Sequence, residues 1–344
     1  MAVGKIVIIA NPYGGNGRAI KLLEKDAMPI FAKAKVTVDL KLTERKMHAA
    51  EMAKTMSLEG VDVLCAIGGD GTLSELLTGF MQRADGAETP LGFLPGGTGN
   101  AFMREFHAGG GSGRPSVALA AEAIVGGLTR KADVMRSECV DHMTGAPLVR
   151  YSLNGLFWGL GTDANMNAER MRCFGPMRYD LGIVWEILKL KKRQATLTLD
   201  GGLDTEKAFL HADFNMLLVT AMNTKYTGDG LALSPYAQMD DGVMDVVFNS
   251  KPITSRLKAI GLFDGVKDGG KHVMDRAVTY VQCQSLRLTT PKPTRLNFDG
   301  EIVGATPVET KIVPLAVRII VPAVLYSTTA EVPVTMSMNE TSPV

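Results

Sequence analysis

The strongest constraint on the fold is a repeated order of buried strand, glycine-rich loop and helix at the start of the chain. Apolar runs at 5–10, 61–67 and 91–95 are each followed by a loop with three glycines and then by a helix-like pattern. A run with period two, 36–42, lies between the first two of them. This alternation predicts a parallel sheet covered by helices on both faces. Such sheets bind ligands beyond the carboxyl ends of their strands, so we expect the three loops to converge there.

The second part of the chain has a different pattern. From about residue 129 onward, short β-rich segments are separated by Gly, Pro and Asp turns, with a helical interruption near 164–192. This predicts an antiparallel sandwich. We therefore expect an α/β domain over 1–128, a β-sandwich domain over 129–325 and a flexible polar tail over 326–344. Helices of the first domain are expected near 18–33, 44–58, 72–82, 100–106 and 116–127.

Composition narrows the class of protein. The 344 residues carry a net charge of +1, which gives no electrostatic basis for nucleic acid as a partner. The four cysteines are scattered without a CxxC pair, which is typical of a reduced compartment without a disulfide framework or thiolate zinc site. No run approaches the roughly 20 apolar residues that a membrane-spanning helix needs, and the first apolar run is too short for a signal peptide core. We expect a cytoplasmic protein that contacts membranes only from outside.

The three glycine loops differ in what they indicate. NPYGGNGRA (11–19) lacks both the Lys-Ser/Thr pair of a Walker A loop and the register of a dinucleotide fingerprint, so a tight turn and a phosphate site are about equally supported. GGDGT (68–72) is more specific, because it places one carboxylate, Asp70, between glycines. The alternative for Asp70 is a turn or helix-capping role. Glu75 is expected in the first turn of the following helix, and LPGGTGNAF (94–102) adds a third loop.

These motifs together resemble the diacylglycerol kinase catalytic family, which includes diacylglycerol, sphingosine and ceramide kinases and is related to the NAD kinases. In the first half, the chain carries NPYGGNGRA, LTERKMHAAEMA, GGDGTLSELLTG and LPGGTGNAF in that order. In the second half it carries WGLGTDANMNAERMRCFGPMRYDLG, LALSPYAQMDDGVMDVV and LNFDGE. The first of these later segments is most similar to the sphingosine and ceramide kinase branch. The resemblance implies a nucleotide-binding first domain, a lipid-binding second domain and a cleft between them.

The resemblance also implies roles for individual residues. In this family a lipid hydroxyl attacks the γ-phosphate of ATP, so ATP and Mg²⁺ are the implied cofactors. Asp70 matches the general base, and Asp299 of the DGE motif is the alternative base. The positions that match nucleotide contacts are Asn11, Pro12, Tyr13, Thr43, Glu44, Arg45, Gly69, Gly71, Thr72, Glu75, Gly97, Thr98, Gly99, Arg172, Arg178, Asp299, Gly300 and Glu301.

On the lipid side, Asp163 and Asn165 match head-group positions, beside Asp70. Sphingosine kinases carry an aspartate where this chain has Asn165, so the charge that would attract an amine is absent. Trp185 is assigned to the lipid substrate as part of an apolar helix with a basic end, for which an ordinary core helix is the alternative. Asp241 matches an acidic block that supports a structural metal in bacterial relatives, and a simple turn is the alternative there.

The expected function is therefore that of an ATP-dependent lipid kinase acting on a primary hydroxyl, with a sphingoid base as the leading acceptor. Diacylglycerol and ceramide are the alternative acceptors. An NAD kinase relative is disfavoured by LPGGTGN and the 158–182 segment, and a non-catalytic binding protein by the intact GGDGT and DGE motifs. The expected partners are a lipid and, transiently, a membrane surface. A homodimer is left open, and nucleic acid is not expected.

Overall fold

Four parallel strands form the N-terminal sheet, in the spatial order β4-β3-β1-β2. The computed structural model describes residues 3–106, 115–171, 177–201, 209–228 and 230–323. The four strands are β1 (Lys5–Ala10), β2 (Thr37–Leu42), β3 (Val63–Gly68) and β4 (Leu91–Pro95). Alternate residues of β1 enter two separate cores, Ile6 and Ile8 on one face and Val7 and Ile9 on the other. The predicted parallel sheet, covered on both faces, is confirmed.

The helices of this lobe depart from their predicted bounds. They are α1 (Gly14–Leu22), α2 (Met28–Lys33), α3 (His48–Thr55), α4 (Asp70–Met81) and α5 (Val117–Gly126). Helix α1 begins at Gly14, within the first glycine loop, instead of near residue 18. A π-helical turn, Leu23–Ala27, joins α1 to α2. The predicted helix at 44–58 is shorter because Met47, just before it, has a left-handed backbone (φ 62°). Near 100–106 only a 3₁₀ helix forms, Phe102–Phe106.

The C-terminal lobe is built from antiparallel strands, as the sequence predicts. Its core contains Trp158, Met216, Val246, Leu286 and Phe298. The strands are β5 (Thr129–Asp141), β6 (Pro147–Ser152), β7 (Gly155–Gly159), β8 (Arg193–Asp200), β9 (Phe209–Met216), β10 (Leu218–Met222), β11 (Tyr226–Thr227), β12 (Leu231–Ala232), β13 (Met244–Asn249), β14 (Val278–Cys283), β15 (Ser285–Thr289), β16 (Arg295–Phe298) and β17 (Glu301–Ile320).

Strand β17 connects the two lobes. It pairs antiparallel with β5, β15 and β16, and Ile319 pairs in parallel with Leu91 of β4. In the sequence, Pro307 and Pro314 interrupt the apolar pattern of this strand. Against β5 the register shifts between Ala305 and Glu309 and again between Val313 and Val317, so each proline falls where a ladder hydrogen bond is not required.

Three helices pack on one side of the C-terminal lobe. The predicted helical stretch at 164–192 consists of two helices, α6 (Leu160–Arg170) and α7 (Arg178–Lys189), which pack against each other. A third helix, α8 (Arg256–Lys267), packs against α7 and was not predicted. These helices roof the site described below. The predicted tail at 326–344 lies outside the described residues.

Candidate active site

A continuous cavity of about 690 Å³ runs from the glycine loops of the N-terminal lobe into the C-terminal lobe. Its polar end is lined by the loops after β1, β3 and β4 and by the DGE turn between β16 and β17. The predicted site residues that line the cavity are Asn11, Tyr13, Thr43, Glu44, Arg45, Gly69, Asp70, Gly71, Thr72, Glu75, Gly97, Thr98, Gly99, Asn165, Asp299, Gly300 and Glu301. Pro12 is adjacent in the chain but does not line it.

Two glycines are required by close approaches at the polar end. A Cβ atom on Gly97 would lie 2.4 Å from the Cα atom of Gly69, so the second and third loops touch through bare backbone. A Cβ atom on Gly71 would lie 2.6 Å from Oε1 of Glu301, so the DGE turn also reaches the second loop. The convergence predicted for the loops is therefore observed, and it exposes backbone to the cavity beside the Asp70 side chain.

Asp70 is the first residue of α4, with Gly69 as the residue before the helix, rather than part of a loop preceding a helix at 72. Its carboxylate accepts hydrogen bonds from backbone N–H groups of Asn100, Ala101 and Phe102, which hold it against the third loop. Burial raises the pKa of Asp70 to about 6, because desolvation outweighs these hydrogen bonds. The side chain retains partial exposure to the cavity.

Asp299 is more deeply buried than Asp70. One carboxylate oxygen accepts from the backbone N–H groups of Asn154 (3.0 Å) and Gly155 (2.8 Å), and the other accepts from Leu153 (3.2 Å). Burial, together with a smaller contribution from the Asp70 carboxylate, raises the pKa of Asp299 to about 7. Only 2% of Asp299 is exposed. Backbone N–H groups hold both carboxylates, but Asp70 keeps partial exposure to the cavity and is therefore the better placed of the two to meet a substrate.

Glu75 and Glu301 are linked to a buried arginine that the sequence analysis does not identify. Glu75 lies in the second turn of α4, not the first, and accepts from the backbone N–H groups of Met47 (2.8 Å) and Ala49 (3.3 Å). It thereby fixes the start of α3. Arg150 of β6 donates to Glu301 Oε2 at 2.7 Å, and its side chain is 2% exposed. Burial raises the pKa of Glu75, Glu301 raises it further, and Arg150 opposes the rise.

Two of the remaining nucleotide-side predictions, Asn11 and Arg45, line the polar end of the cavity. Asn11 accepts a hydrogen bond from the backbone N–H of Tyr13 at 3.0 Å, which shapes the first loop. Arg45 pairs with Glu51 on the exposed side of α3. Arg172 lies outside the described residues, and the side chain of Arg178, the first residue of α7, is not described.

The other end of the cavity is an apolar chamber inside the C-terminal lobe. Its floor is the sheet formed by β7, β10, β13 and β16, and its roof is formed by α6, α7 and α8. Among the described residues that line this chamber, His272 has a titratable side chain. Burial lowers the pKa of His272 to about 4, so its ring is neutral at neutral pH. The apolar lining residues include Phe157, Leu160, Ile183, Ile187, Leu217, Val247, Phe248, Ile253, Leu262, Phe263 and Val266.

Two residues predicted to contact the lipid do not line the cavity. Asp163 forms an ion pair with Arg193 of β8, which turns its carboxylate away. Trp185 lies on the outer face of α7 with 53% of its surface exposed, and Lys189 Nζ is 5.5 Å from its ring centroid. Asn165 does line the cavity, and its side-chain amide donates to the Gly300 carbonyl at 2.7 Å. Asn165 therefore supports the DGE turn, which the sequence did not reveal.

The acidic block around Asp241 is organised by an arginine rather than by a set of metal ligands. Arg130 donates to both carboxylate oxygens of Asp240 at 2.7 and 2.5 Å, and Tyr280 and Gln282 donate to Asp245. No cluster of three or more His, Cys, Asp or Glu side chains able to hold a metal occurs in the described part of the chain. The metal role of Asp241 remains a prediction.

Comparison with known proteins agrees with this geometry. Residues 5–137 match the family model of the diacylglycerol kinase catalytic domain, and residues 156–321 match that of the YegS C-terminal NAD kinase beta sandwich-like domain. The chain belongs to the diacylglycerol kinase catalytic family. The glycine loops, Asp70 and most of the parallel sheet fall in the first match, and the apolar chamber and the DGE turn fall in the second. The cavity thus lies between the two matched parts of the chain.

Members of the family from several organisms are similar over nearly the whole chain. Mouse sphingosine kinase 1 is 26% identical, covering 90% of this chain and 89% of its own. The diacylglycerol kinase of Mycobacterium tuberculosis is 28% identical, covering 93% and 96%. A crystal structure of a diacylglycerol kinase from Bacillus anthracis has the same fold, with a TM-score of 0.64 at 19% identity over 93% of this chain and 97% of that one.

Proposed function

We propose that this protein is an ATP-dependent lipid kinase that transfers the γ-phosphate to a primary hydroxyl of a long-chain lipid. The observation that carries the proposal is the cavity itself, which joins a backbone-lined polar end containing Asp70 to an apolar chamber closed by α6, α7 and α8. A phosphate-bearing ligand suits the first end and an alkyl chain suits the second. The kinases named above are the relatives expected of such a protein.

The polar end offers groups suited to ATP. Gly69, Gly71 and Gly97 let the phosphates approach the backbone, and α4 begins at this point with its N-terminus toward the cavity loops. Mg²⁺ fits the carboxylates present, since this ion is usually held by one or two carboxylates together with substrate phosphates. The Oε1 atom of Glu301 would provide one such oxygen, because Arg150 engages only Oε2. When bound, the ion would neutralise charge on the β- and γ-phosphates.

In this proposal Asp70 accepts the proton of the lipid hydroxyl as that oxygen attacks phosphorus. A pKa of about 6 leaves most of the carboxylate ionised at neutral pH while keeping it basic enough to take a proton. In this proposal Asp299 is not the base, because only 2% of the residue is exposed, whereas Asp70 is partly exposed to the cavity. Its role is to fix the turn that places Gly300 beside Asp70 and presents Glu301 to the phosphates.

A lipid with one chain, a sphingoid base, is our leading acceptor. The cavity of about 690 Å³ includes the nucleotide end, so the apolar chamber has room for one long chain more readily than for two. Diacylglycerol is the second candidate, and one observation favours it: Asn165 offers a neutral amide, not a carboxylate, at the junction between the two ends. A neutral head group would bind there without losing an ion pair.

We further propose that the lipid enters from a membrane surface. No helix among residues 3–106, 115–171, 177–201, 209–228 and 230–323 is long and apolar enough to span a bilayer. Helix α7 has two apolar faces: Ile183 and Ile187 line the chamber, while the opposite face is solvent-exposed. That outer face consists of Leu181, Val184, Trp185 and Leu188. Lysines at its C-terminal end suit an anionic membrane surface.

The experiment that tests the function is transfer of labelled phosphate from ATP with Mg²⁺ to sphingosine, ceramide, diacylglycerol or monoacylglycerol in mixed micelles, with NAD as a soluble control. We expect a labelled lipid from the wild type and none from Asp70→Asn, which should still bind ATP. Label in NAD alone would contradict the proposal. An active Asp70→Asn would retain the lipid kinase function but remove Asp70 as the base.

A further inference from the structure

Asn297, between the two ends of the cavity, has a buried polar atom that nothing in the fold satisfies. Its Oδ1 atom has no hydrogen-bond partner, and the residue is 4% exposed and lines the cavity. Its neighbours along β16, Leu296 and Phe298, enter the hydrophobic core on the other face of the sheet. A buried amide oxygen without a partner destabilises a folded protein, so its presence requires an explanation.

The sheet register locates Asn297 within the cavity. Asn297 is paired with Phe157 of β7, Phe157 with Thr220 of β10, and Thr220 with Val247 of β13. Residues opposite each other on neighbouring strands share a face, so these four side chains form a row across the chamber floor, and all four line the cavity. Asn297 ends the row on the side of β16, two residues before Asp299. It therefore lies where the chamber meets the catalytic end.

Thr220 shows that a polar residue on this floor can be satisfied internally. Its hydroxyl donates to the Val247 carbonyl at 3.4 Å, whereas the Asn297 oxygen has no such neighbour. On the roof, Asn165 uses its amide nitrogen on the Gly300 carbonyl, which leaves its Oδ1 atom as an acceptor. The junction is thus bounded by three acceptors, the Asp70 carboxylate and two amide oxygens. Such a set suits a ligand that brings hydrogen-bond donors.

We propose that Asn297 is a specificity-determining residue that recognises the substituent on the carbon next to the reacting hydroxyl. Its Oδ1 atom accepts a hydrogen bond from an ammonium or hydroxyl group on that carbon, so the preferred acceptors are long-chain 2-amino or 2-hydroxy primary alcohols. The inference rests on the proposed lipid kinase function and adds to it a head-group requirement. It also explains why the oxygen has no partner within the protein, because the substrate provides one.

The test uses three lipids that differ only at this carbon: 2-amino-1-octadecanol, 1,2-octadecanediol and 1-octadecanol. For Asn297→Leu we expect kcat/KM to fall roughly tenfold with the first two lipids and less than about twofold with 1-octadecanol. Asn297→Asp keeps an acceptor and should restore use of the amine. Thr220→Val is the matched control from the same row, and it should leave the ratios among the three lipids unchanged. Displacement of a fluorescent long-chain amine without ATP should show the same order of affinities.

Each outcome decides the matter. An equal loss with all three lipids, or no loss with any, would overturn the role of Asn297 while leaving the kinase function in place. A wild-type protein that discriminates poorly between 1-octadecanol and the other two would do the same. Failure of the wild type to phosphorylate every lipid tested would overturn the proposed function and this inference with it. If Asn297→Leu does not fold, Asn297→Asp should change the ratio of kcat/KM for the amine to that for the diol, whereas Thr220→Val should not. An unchanged ratio in both variants would overturn the role of Asn297.

Discussion

Arg150 donates from Nη2 to the Glu301 carboxylate at 2.7 Å, and the same nitrogen lies 3.2 Å from the Ser74 hydroxyl. Glu301 follows the DGE turn and Ser74 belongs to α4, whose first residue is Asp70. One buried guanidinium therefore fixes the turn from the C-terminal lobe against the helix that carries the proposed base. This contact therefore helps to set the relative position of Asp70 and Asp299.

Arg150→Met should destabilise the protein and slow transfer. Removing one partner of a buried ion pair costs about 3–5 kcal/mol, and here Glu75 and Glu301 would face each other without a cation. Urea denaturation followed by tryptophan fluorescence measures the loss. Arg136→Met is the control, because Arg136 forms a surface pair with Glu138 and should change stability by less than about 0.5 kcal/mol. Adding Glu301→Gln to Arg150→Met should recover part of the stability, and equal effects of the two arginine variants would refute the linkage.

The pH dependence of kcat/KM should have an acidic limb near pH 6. Burial raises the pKa of Asp70 to about 6 from its ordinary value near 4, so the protonated, inactive form accumulates as the pH falls through that value. Below it the rate should drop about tenfold per pH unit. A neutral acceptor such as 1,2-octadecanediol keeps the ionisation of the lipid out of the profile. Asp299→Asn should lower the rate yet retain the limb, and loss of the limb in that variant would assign the base to Asp299.

Gly97→Ala should impair nucleotide use more than its size suggests. The added methyl group would meet the Cα atom of Gly69 at 2.4 Å, so two loop backbones would have to separate, at a cost of about 1–3 kcal/mol. We expect a raised KM for ATP. Gly126→Ala is the matched control, because a Cβ atom there has open space at the end of α5, and it should be neutral or slightly stabilising. An unchanged KM for ATP in Gly97→Ala would show that the loops tolerate separation.

Exchange of Trp185 and Leu188 for serine should weaken binding to anionic vesicles. Both side chains lie on the exposed apolar face of α7, and losing their burial in a membrane interface should reduce the partition coefficient roughly five- to thirtyfold. Flotation with vesicles containing phosphatidylserine measures this. Leu119→Ser changes a leucine that is equally exposed but lies on α5 of the other lobe, and it should have no effect. Equal vesicle binding by all variants would place the membrane contact elsewhere.

Asn165→Asp should lower turnover instead of simply improving use of amines. The sequence comparison alone suggests a gain, since an aspartate would restore a charge for an ammonium group. In the structure the Asn165 amide nitrogen donates to the Gly300 carbonyl at 2.7 Å, and a carboxylate cannot do so. We expect kcat to fall with every lipid but least with 2-amino-1-octadecanol. A rise in kcat with the amine would show that the turn does not need this hydrogen bond.

Most of the N-terminal lobe could be predicted because three of its four strands are continuous apolar runs followed by glycine loops, and this pattern has few structural solutions. Helix α8 was missed, since Gly261 and Gly265 each lower helix propensity by about 1 kcal/mol in a region otherwise rich in strands. The signal that could have revealed it is Ser255, whose side chain caps the helix at the Lys258 N–H. Helix α8 matters for function because it closes the apolar chamber.

The roles of Arg150 and Asn297 in the site could not be predicted from the sequence, and the reason differs from that for α8. Arg150 lies in a strand with alternating residues, and its partner Glu301 is 151 positions away. Nothing local distinguishes such an arginine from one that faces solvent. Asn297 likewise occupies an ordinary strand position, and its importance depends on which face of β16 meets the cavity. Motif spacing identified the loop residues that line the cavity, but it did not identify strand residues such as Asn297 that line it.

The pairing of Ile319 with Leu91 bears on how the chain folds during synthesis. Domains commonly fold one after another as they leave the ribosome. Here the strand that lies beside β4 comes from 301–320, so the N-terminal sheet gains this neighbour only after those residues have emerged. Until then β4 presents an open edge that can pair with other chains. Translation pauses or truncations upstream of β17 should therefore produce aggregation rather than a folded N-terminal half.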